Sequence, residues 1–310
     1  MTNHSVTVNI DGVSFQLKEP HPFEWLRKLG RVFCVFDQQD SGNLSFGIER
    51  QGRKKFVKYA GAPTVAYTGT PQEAVTRLKQ ALPLYEALNH PHLIRLEEHF
   101  EVHNGYTAVF DWFDGECLHS HWSFPPPQKY THPDSPFFRF RQLPVEERLR
   151  SLDCIFSFHV HVEASGYVAV DFYDGSILHV EASGYVAVDF YDGSILYDFK
   201  NNVTKICDID FYQKKPFINT MGRLWGSSRF MSPEEFELGA DIDARTNVFN
   251  MGAIAFGLLG GERDRSYSKW EAGEKLYETA LRAVRLDRNE RYASVAEFYA
   301  AWNAAANCNL

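Results

Sequence analysis

This 310-residue sequence lacks long apolar runs, cysteine pairs at metal-binding spacing and any excess of positive charge. Its longest nearly apolar stretch, Met251 to Gly261, is far short of the ~20 residues that cross a bilayer, so no membrane span is expected. The amino terminus, Met1-Thr2-Asn3-His4-Ser5-Val6-Thr7-Val8-Asn9-Ile10, alternates as a strand does and has neither the basic start nor the apolar stretch of a secretion signal. Five cysteines are scattered with no C-x-x-C spacing. The odd number argues against a disulfide framework or a zinc site and suits a reducing, cytoplasmic compartment. Lys and Arg number 32 against 40 Asp and Glu, a net charge of -8 that speaks against a nucleic-acid partner. The twelve histidines show no ligand spacing on a helix and read as surface or packing residues.

What is present is core-forming material: 44% hydrophobic residues, with 25 phenylalanines. That suffices for one large domain or two lobes with cores of their own. Residues 1–66, rich in Val, Phe and Thr with turns such as Asp40-Ser41-Gly42-Asn43 and Gln51-Gly52-Arg53, predict an antiparallel sheet of hairpins, with strands near 33–37, 44–50 and 54–59. Thr70-Pro71-Gln72-Glu73 combines an N-cap, a Pro at the first helical position and a Glu three residues on, so a helix should run from there to about Leu88. Strands near 93–100 and 107–112 follow. The proline-rich stretch His119 to Pro144 reads as a loop, with a boundary near Asp111. Beyond it, helices near 144–158, 233–237, 246–259, 268–285 and 293–304 surround a hairpin, Ile195–Phe199 with Val203–Ile206. A β-rich half followed by a helical half predicts an α+β, bilobal arrangement, and ligands favour clefts between lobes.

The segment His161 to Leu178 recurs unchanged as His179 to Leu196. Two copies cannot build a solenoid, so one copy is surplus to the fold. The residues around 161–178 are expected to be displaced, as a helix extension or as a loop.

Trp225-Gly226-Ser227-Ser228-Arg229-Phe230-Met231-Ser232-Pro233-Glu234 resembles the Gly-Thr-x-x-Tyr-Met-Ala-Pro-Glu end of the activation segment in protein kinases. Other motifs follow that family's order. Thr246-Asn247-Val248-Phe249-Asn250-Met251-Gly252 is similar to the Asp-Val-Trp-Ser-x-Gly helix, with Asn247 in place of Asp. Asp287-Arg288-Asn289-Glu290-Arg291-Tyr292 resembles the Arg-bearing turn near the domain end, which implies a buried bidentate pair between Glu234 and Arg291. Lys205-Ile206-Cys207-Asp208 is similar to the strand leading into Asp-Phe-Gly. Gly184 to Leu196 resembles the catalytic loop, with Ala187 and Val188 replacing His and Arg and Ser194 replacing Asn. Lys55-Phe56-Val57-Lys58 resembles the strand that carries the phosphate-binding lysine.

The resemblance, spanning roughly residues 30–305, implies a protein-kinase-like fold with an N-terminal sheet-plus-helix lobe (1–110) and a mainly helical C-terminal lobe (111–310). It implies an ATP-dependent phosphotransferase acting with Mg²⁺ on a Ser/Thr hydroxyl of a protein substrate or partner. Such chemistry needs a lysine on the phosphates, carboxylates on the metal and an aspartate to take the hydroxyl proton. Lys58, Asp208 and Asp189 fill these roles, with Asp171 the candidate if the first repeat copy is used. Ser194 and Asp210 are further metal candidates. Gly42, Asp111 and Phe113 are expected at the nucleotide, and Glu116 and Cys117 either touch a ribose or cap a turn. Asp189 lies 19 residues before Asp208 and Asp171 lies 37 before it, and the shorter interval favours Asp189. Asp174 and Asp192, each followed by Gly, read as turn-shaping residues.

Several departures oppose turnover. The glycine-rich loop is reduced to Gly42, and the usual helix glutamate falls at Ala81, leaving Glu73 or Gln80 to partner Lys58. The missing His-Arg removes the arginine that holds a phosphorylated activation loop. A pseudokinase binding module is therefore one alternative. A small-molecule kinase of the aminoglycoside or choline phosphotransferase type is another, suggested by Asp189-x-x-x-Gly193-Ser194-Ile195-Leu196 and by Ile209-Asp210-Phe211.

Overall fold

Period-two patterning at one end of the chain and helical patterning at the other produce an α+β protein with antiparallel sheets. The structure is a computed structural model and describes residues 5–37, 41–120, 123–169, 192–224 and 226–307. Contacts divide the chain into two units, Met1–Asn89 with Ile94–Asp114, and His90–Leu93 with Gly115–Leu310. The boundary expected near Asp111 thus falls after Asp114.

The first unit opens with the hairpin β1 (Val6–Ile10) and β2 (Val13–Leu17), then a single helical turn, α1 (Leu26–Leu29). Five strands follow as an antiparallel sheet: β3 (Arg31–Phe36), β4 (Asn43–Arg50), β5 (Arg53–Ala60), β6 (Leu96–Val102) and β7 (Gly105–Asp111), in the order β3-β4-β5-β7-β6. Helix α2 (Pro71–Ala87) runs between β5 and β6 in sequence. It starts in a capping box: Glu73 N–H donates to Thr70 Oγ1 (3.3 Å) and Thr70 N–H donates to Glu73 Oε2 (2.7 Å).

Alternation along the strands decides what each sheet face does. Leu44, Phe46, Ile48, Val57 and Tyr59 point to one face, where they meet Phe15, Leu17, Phe23, Trp25 and Leu26 from the amino-terminal elements. Phe23 packs edge-on to Phe46 with ring centroids 5.6 Å apart. The other face carries Lys58, directly opposite Ser45 on β4 and Ala108 on β7. Phe110 of that face meets Tyr85 of α2 at 5.0 Å.

The second unit begins with a short strand, β8 (Glu116–Cys117), and then two short helices, α3 (Gln128–Thr131) and α4 (Pro136–Arg141), where the proline-rich composition predicted a loop. Proline fits the first turn of α4, where its missing N–H costs nothing, and Ser135 caps that helix. Helix α5 (Val145–Ala164) buries Leu152, Ile155, Phe156, His159 and Val162, one stripe at helical spacing. After it come β9 (Tyr167–Val168), the hairpin β10 (Ile195–Asp198) and β11 (Val203–Ile206), and the two-residue strands β12 (Gln213–Lys214), β13 (Phe217–Ile218) and β14 (Asp241–Ile242). Helix α6 (Ala244–Leu259), buried from Thr246 to Leu259, forms the centre, flanked by α7 (Glu274–Ala283) and α8 (Val295–Asn307). Phe156 of α5 meets Phe298 and Trp302 of α8 at 5.0 and 5.2 Å.

The duplicated segment is used in an unexpected way. The start of its first copy extends the preceding helix, one of the two expected outcomes: His161 to Ala164 complete α5, and Tyr167 and Val168 then pair with Lys214 and Gln213. The last residues of the second copy form a 3-10 turn (Asp192–Ser194) and begin β10. The interval to Asp208 makes the first copy the one expected to be displaced. Chain continuity with α5 assigns its beginning to the fold.

Candidate functional site

The β10–β11 hairpin sets the geometry around Asp208. Ile195 lies opposite Ile206, and the Cys207 N–H donates to the Ser194 carbonyl (3.0 Å), so Ser194 stands beside the residue preceding Asp208. Asp208 is exposed and has φ +57°, a left-handed conformation uncommon for a residue with a side chain. The next residue, Ile209, is fully buried, which ties down the backbone behind the carboxylate. Asp210 is half-buried. Cys117 of β8 donates its thiol to the Gly193 carbonyl (3.2 Å). Burial, with the nearby charges of Asp192 and Asp208, pushes that thiol up to about 12, so it is inert at neutral pH. Glu116 is held by Arg139, whose Nη1 lies 2.9 Å from each carboxylate oxygen.

Lys58 is half-buried in the middle of β5, flanked by strands on both sides. The carboxylate of Glu73 is engaged by the α2 cap, while Ala81 is buried and Gln80 exposed. Gly42 has φ +78°, and a Cβ there would come within 2.6 Å of the Tyr67 ring, so close packing accounts for this glycine. Asp111 receives Arg95 Nε at 2.7 Å and Arg95 Nη2 at 3.1 Å. That hydrogen bonding holds its carboxyl below the usual range, so Asp111 serves an ion pair. Phe113 is half-buried just beyond β7. Asp171, Asp189 and the repeat residues between them lie outside the described residues.

The Glu234–Arg291 pair is present and buried. Arg291 Nη1 meets Glu234 Oε1 at 2.6 Å and Nη2 meets Oε2 at 3.0 Å, while the guanidinium also donates to the carbonyls of Arg285, Arg245 and Leu286. Burial alone would raise the Glu234 carboxyl, but Arg291 outweighs it and the group stays charged. Beside it, Glu235 Oε2 accepts from Ser232 N–H (2.6 Å), Ser232 Oγ (2.8 Å) and Asn250 Nδ2 (3.0 Å). Deprived of a cation and fully buried, Glu235 is pushed up to about 7.

Asn247 explains its own departure from the motif. Its Oδ1 accepts from Ala169 N–H (3.1 Å) and its Nδ2 donates to the Ala169 carbonyl (3.0 Å). A carboxylate could serve only the first of these, whereas an amide serves both. The first repeat copy is thereby clamped to α6 at Ala169, just after β9 and two residues before Asp171.

Sequence reasoning missed an ionic cluster centred on Asp192, which is a fully buried charge and more than a turn former. Lys129 of α3 contacts Asp192 Oδ2, Arg229 Nη2 lies 3.0 Å from Oδ1, and Arg229 Nη1 also reaches Glu262 at 2.9 Å. Burial works against the ionised form, but Lys129, Arg229 and His119 together hold the Asp192 carboxyl well below its ordinary value. Arg229 belongs to the Ser227-Ser228-Arg229-Phe230 signature, so the cluster fastens that segment to the residue that opens the turn before β10. Only the Asp-Gly dipeptide marked Asp192 in the sequence, and it carries no sign of burial.

Among the described residues, no group of three or more His, Cys, Asp or Glu side chains is placed to hold a metal. None of the described helices is long and apolar enough to cross a membrane. No protein-family model matches the chain, and no curated protein matches it significantly.

Proposed function

We propose that this chain is an ATP-dependent phosphotransferase of the protein Ser/Thr kinase type, with the bilobal fold of that superfamily. The observation that carries the reading is the hairpin geometry next to Asp208: a carboxylate on a left-handed backbone, two residues after β11, with the backbone of Ser194 bonded to Cys207, the residue before it. Support comes from the Glu234–Arg291 pair, which the resemblance implies, and from the Asn247 clamp that holds Ala169 two residues before Asp171.

Asp208, Asp210 and Ser194 offer hard oxygen donors, the chemistry Mg²⁺ prefers. A full protein cage is not needed, because Mg²⁺ is commonly bound by one or two carboxylates together with substrate phosphates and water. When bound, Mg²⁺ would neutralise charge on the transferring phosphoryl group. Lys58 would carry the positive charge against the nucleotide phosphates, its place in a doubly paired strand fixing its origin. The proton acceptor is Asp171 or Asp189. The clamp at Ala169 favours Asp171 by position, while Asp189 keeps the five-residue spacing to Ser194.

Transfer of labelled γ-phosphate from ATP to a Ser/Thr peptide library tests this reading. Asp208→Asn should lower turnover at least ~10²-fold with little loss of stability. Asp171→Asn and Asp189→Asn, run in parallel, should differ, the true base losing ~10² or more. Unchanged turnover in Asp208→Asn would contradict the assignment. The pseudokinase alternative has its own supporting observations, the packed Gly42 and the Glu73 carboxylate engaged by the α2 cap. Stabilisation by nucleotide with no transfer to any substrate would select it.

A further inference from the structure

We infer that the first unit carries a separate binding site for a ligand with two or more phosphate-type charges, in a cavity of about 550 Å³ walled by Arg27, Lys28, Arg31 and Arg50. The inference stands independently of the proposed phosphotransfer.

The fold assembles these four cations from three elements: Arg27 and Lys28 from α1, Arg31 from the first position of β3, and Arg50 from the last position of β4. Gly30 lets the walls approach. It has φ +154°, and a Cβ there would come within 2.5 Å of the Glu49 carbonyl. Arg50 Nη1 donates to the Lys28 carbonyl at 2.9 Å, which fixes one guanidinium across the gap with most of its N–H groups still to satisfy.

Two carboxylates, Asp11 and Glu49, share the lining, and neither neutralises it. Arg27 approaches Asp11 only to 3.7 Å and Arg31 approaches Glu49 only to 3.6 Å, both through arginines about two-thirds exposed. Ion pairs between such exposed side chains are weak, so a multiply charged anion can displace them. Four cations against two carboxylates leave two positive charges here, in a chain whose net charge is -8.

Guanidinium groups match the paired oxygens of phosphate, and the volume lies within the ~300–1,000 Å³ usual for small-ligand sites. An open, local patch also differs from the long basic stripe that nucleic acid requires. The cavity is remote from Lys58 along the sheet: Arg53, opposite Arg50, precedes Lys58 by five residues on β5, roughly 16 Å at strand rise.

Calorimetric titration of the full chain with inorganic pyrophosphate, without metal and at low salt, tests the site. Saturable binding with Kd below ~1 mM is expected in the wild type and in Lys58→Met. Arg31→Gln/Arg50→Gln should bind at least tenfold more weakly while keeping the wild-type circular dichroism. Should that double variant fail to fold, Lys28→Gln, which removes an exposed cation with no carboxylate partner among the described residues, should still weaken binding about threefold. Parallel titrations with a phosphoserine peptide and with a free sugar bisphosphate distinguish a phosphorylated protein from a metabolite as the source of the anion. Absence of saturable binding, or binding lost in Lys58→Met and kept in Arg31→Gln/Arg50→Gln, overturns the proposal.

Discussion

Identical sequence meets different surroundings in the two copies of the repeat. The first copy contributes its beginning, the end of α5 and then β9, with Ala169 clamped by Asn247. The second contributes its end, a 3-10 turn and the first half of β10, with Asp192 in the ionic cluster. The sequence of the repeat cannot decide which copy goes where, because it is the same sequence. The decision comes from the chain on either side: α5 runs without interruption into His161, and Tyr197 and Asp198 must follow Leu196 to complete the pairing with Val203 and Thr204. Secondary structure here is dictated by tertiary context.

The sharpest way to break this comparison is at Ile195, which is fully buried in β10. Ile195→Ala should cost about 2–5 kcal/mol in chemical denaturation, the usual loss for a buried isoleucine. A near-neutral result would mean that the identical Ile177 can take its place. At the other end, Asn247→Asp should cost about 1–3 kcal/mol, because it leaves the Ala169 carbonyl without its donor and buries a charge.

Glu235 belongs to the same polar chain, bonding Asn250, which receives Asn247 Nδ2 at 3.3 Å. Its folded value, raised to about 7 from an ordinary 4.5, favours the neutral form in the native state. That contribution is complete below about pH 4.5 and is lost as the pH rises to 7. Thermal melts of Glu235→Gln should therefore lack the decline of stability across this window that the wild type shows. Asp192 and Glu234, whose values are lowered, act in the opposite sense and lose their contribution only in more acid solution. The smallest effect is expected from deleting 18 residues between 161 and 196, which yields the same chain wherever the cut is made. The single-copy protein should melt no lower than the wild type. A large drop would show that both copies are needed for the fold.

Much of the framework was legible in the sequence because its signals are local. The capping box at Thr70 and Glu73, the β4–β5 alternation and the Ile195/Ile206 hairpin each depend on residues close together in the chain. The Glu234–Arg291 pair is long-range, and only its two flanking motifs made it visible. The Asp192 cluster carries no such mark: its partners lie 63 and 37 residues away, and the burial of Lys129 follows from α3, a helix hidden in proline-rich sequence. Glu235 was equally hidden, since nothing distinguishes it from its neighbour Glu234 except which one finds an arginine. Gly42 and Asp111 read as nucleotide contacts from the resemblance alone; their packing against Tyr67 and pairing with Arg95 carry no mark in the sequence.

The proposal with most at stake is that Lys58 and Asp208 are each needed for binding a magnesium nucleotide. Its most direct test is the melting temperature of the full chain with and without Mg²⁺ and ATP, in the Arg31→Gln/Arg50→Gln background so that the cationic cavity does not contribute. A rise of a few degrees is expected at saturating nucleotide, absent in Lys58→Met and in Asp208→Asn. An unchanged melting temperature, or the same rise in all three proteins, would contradict the account.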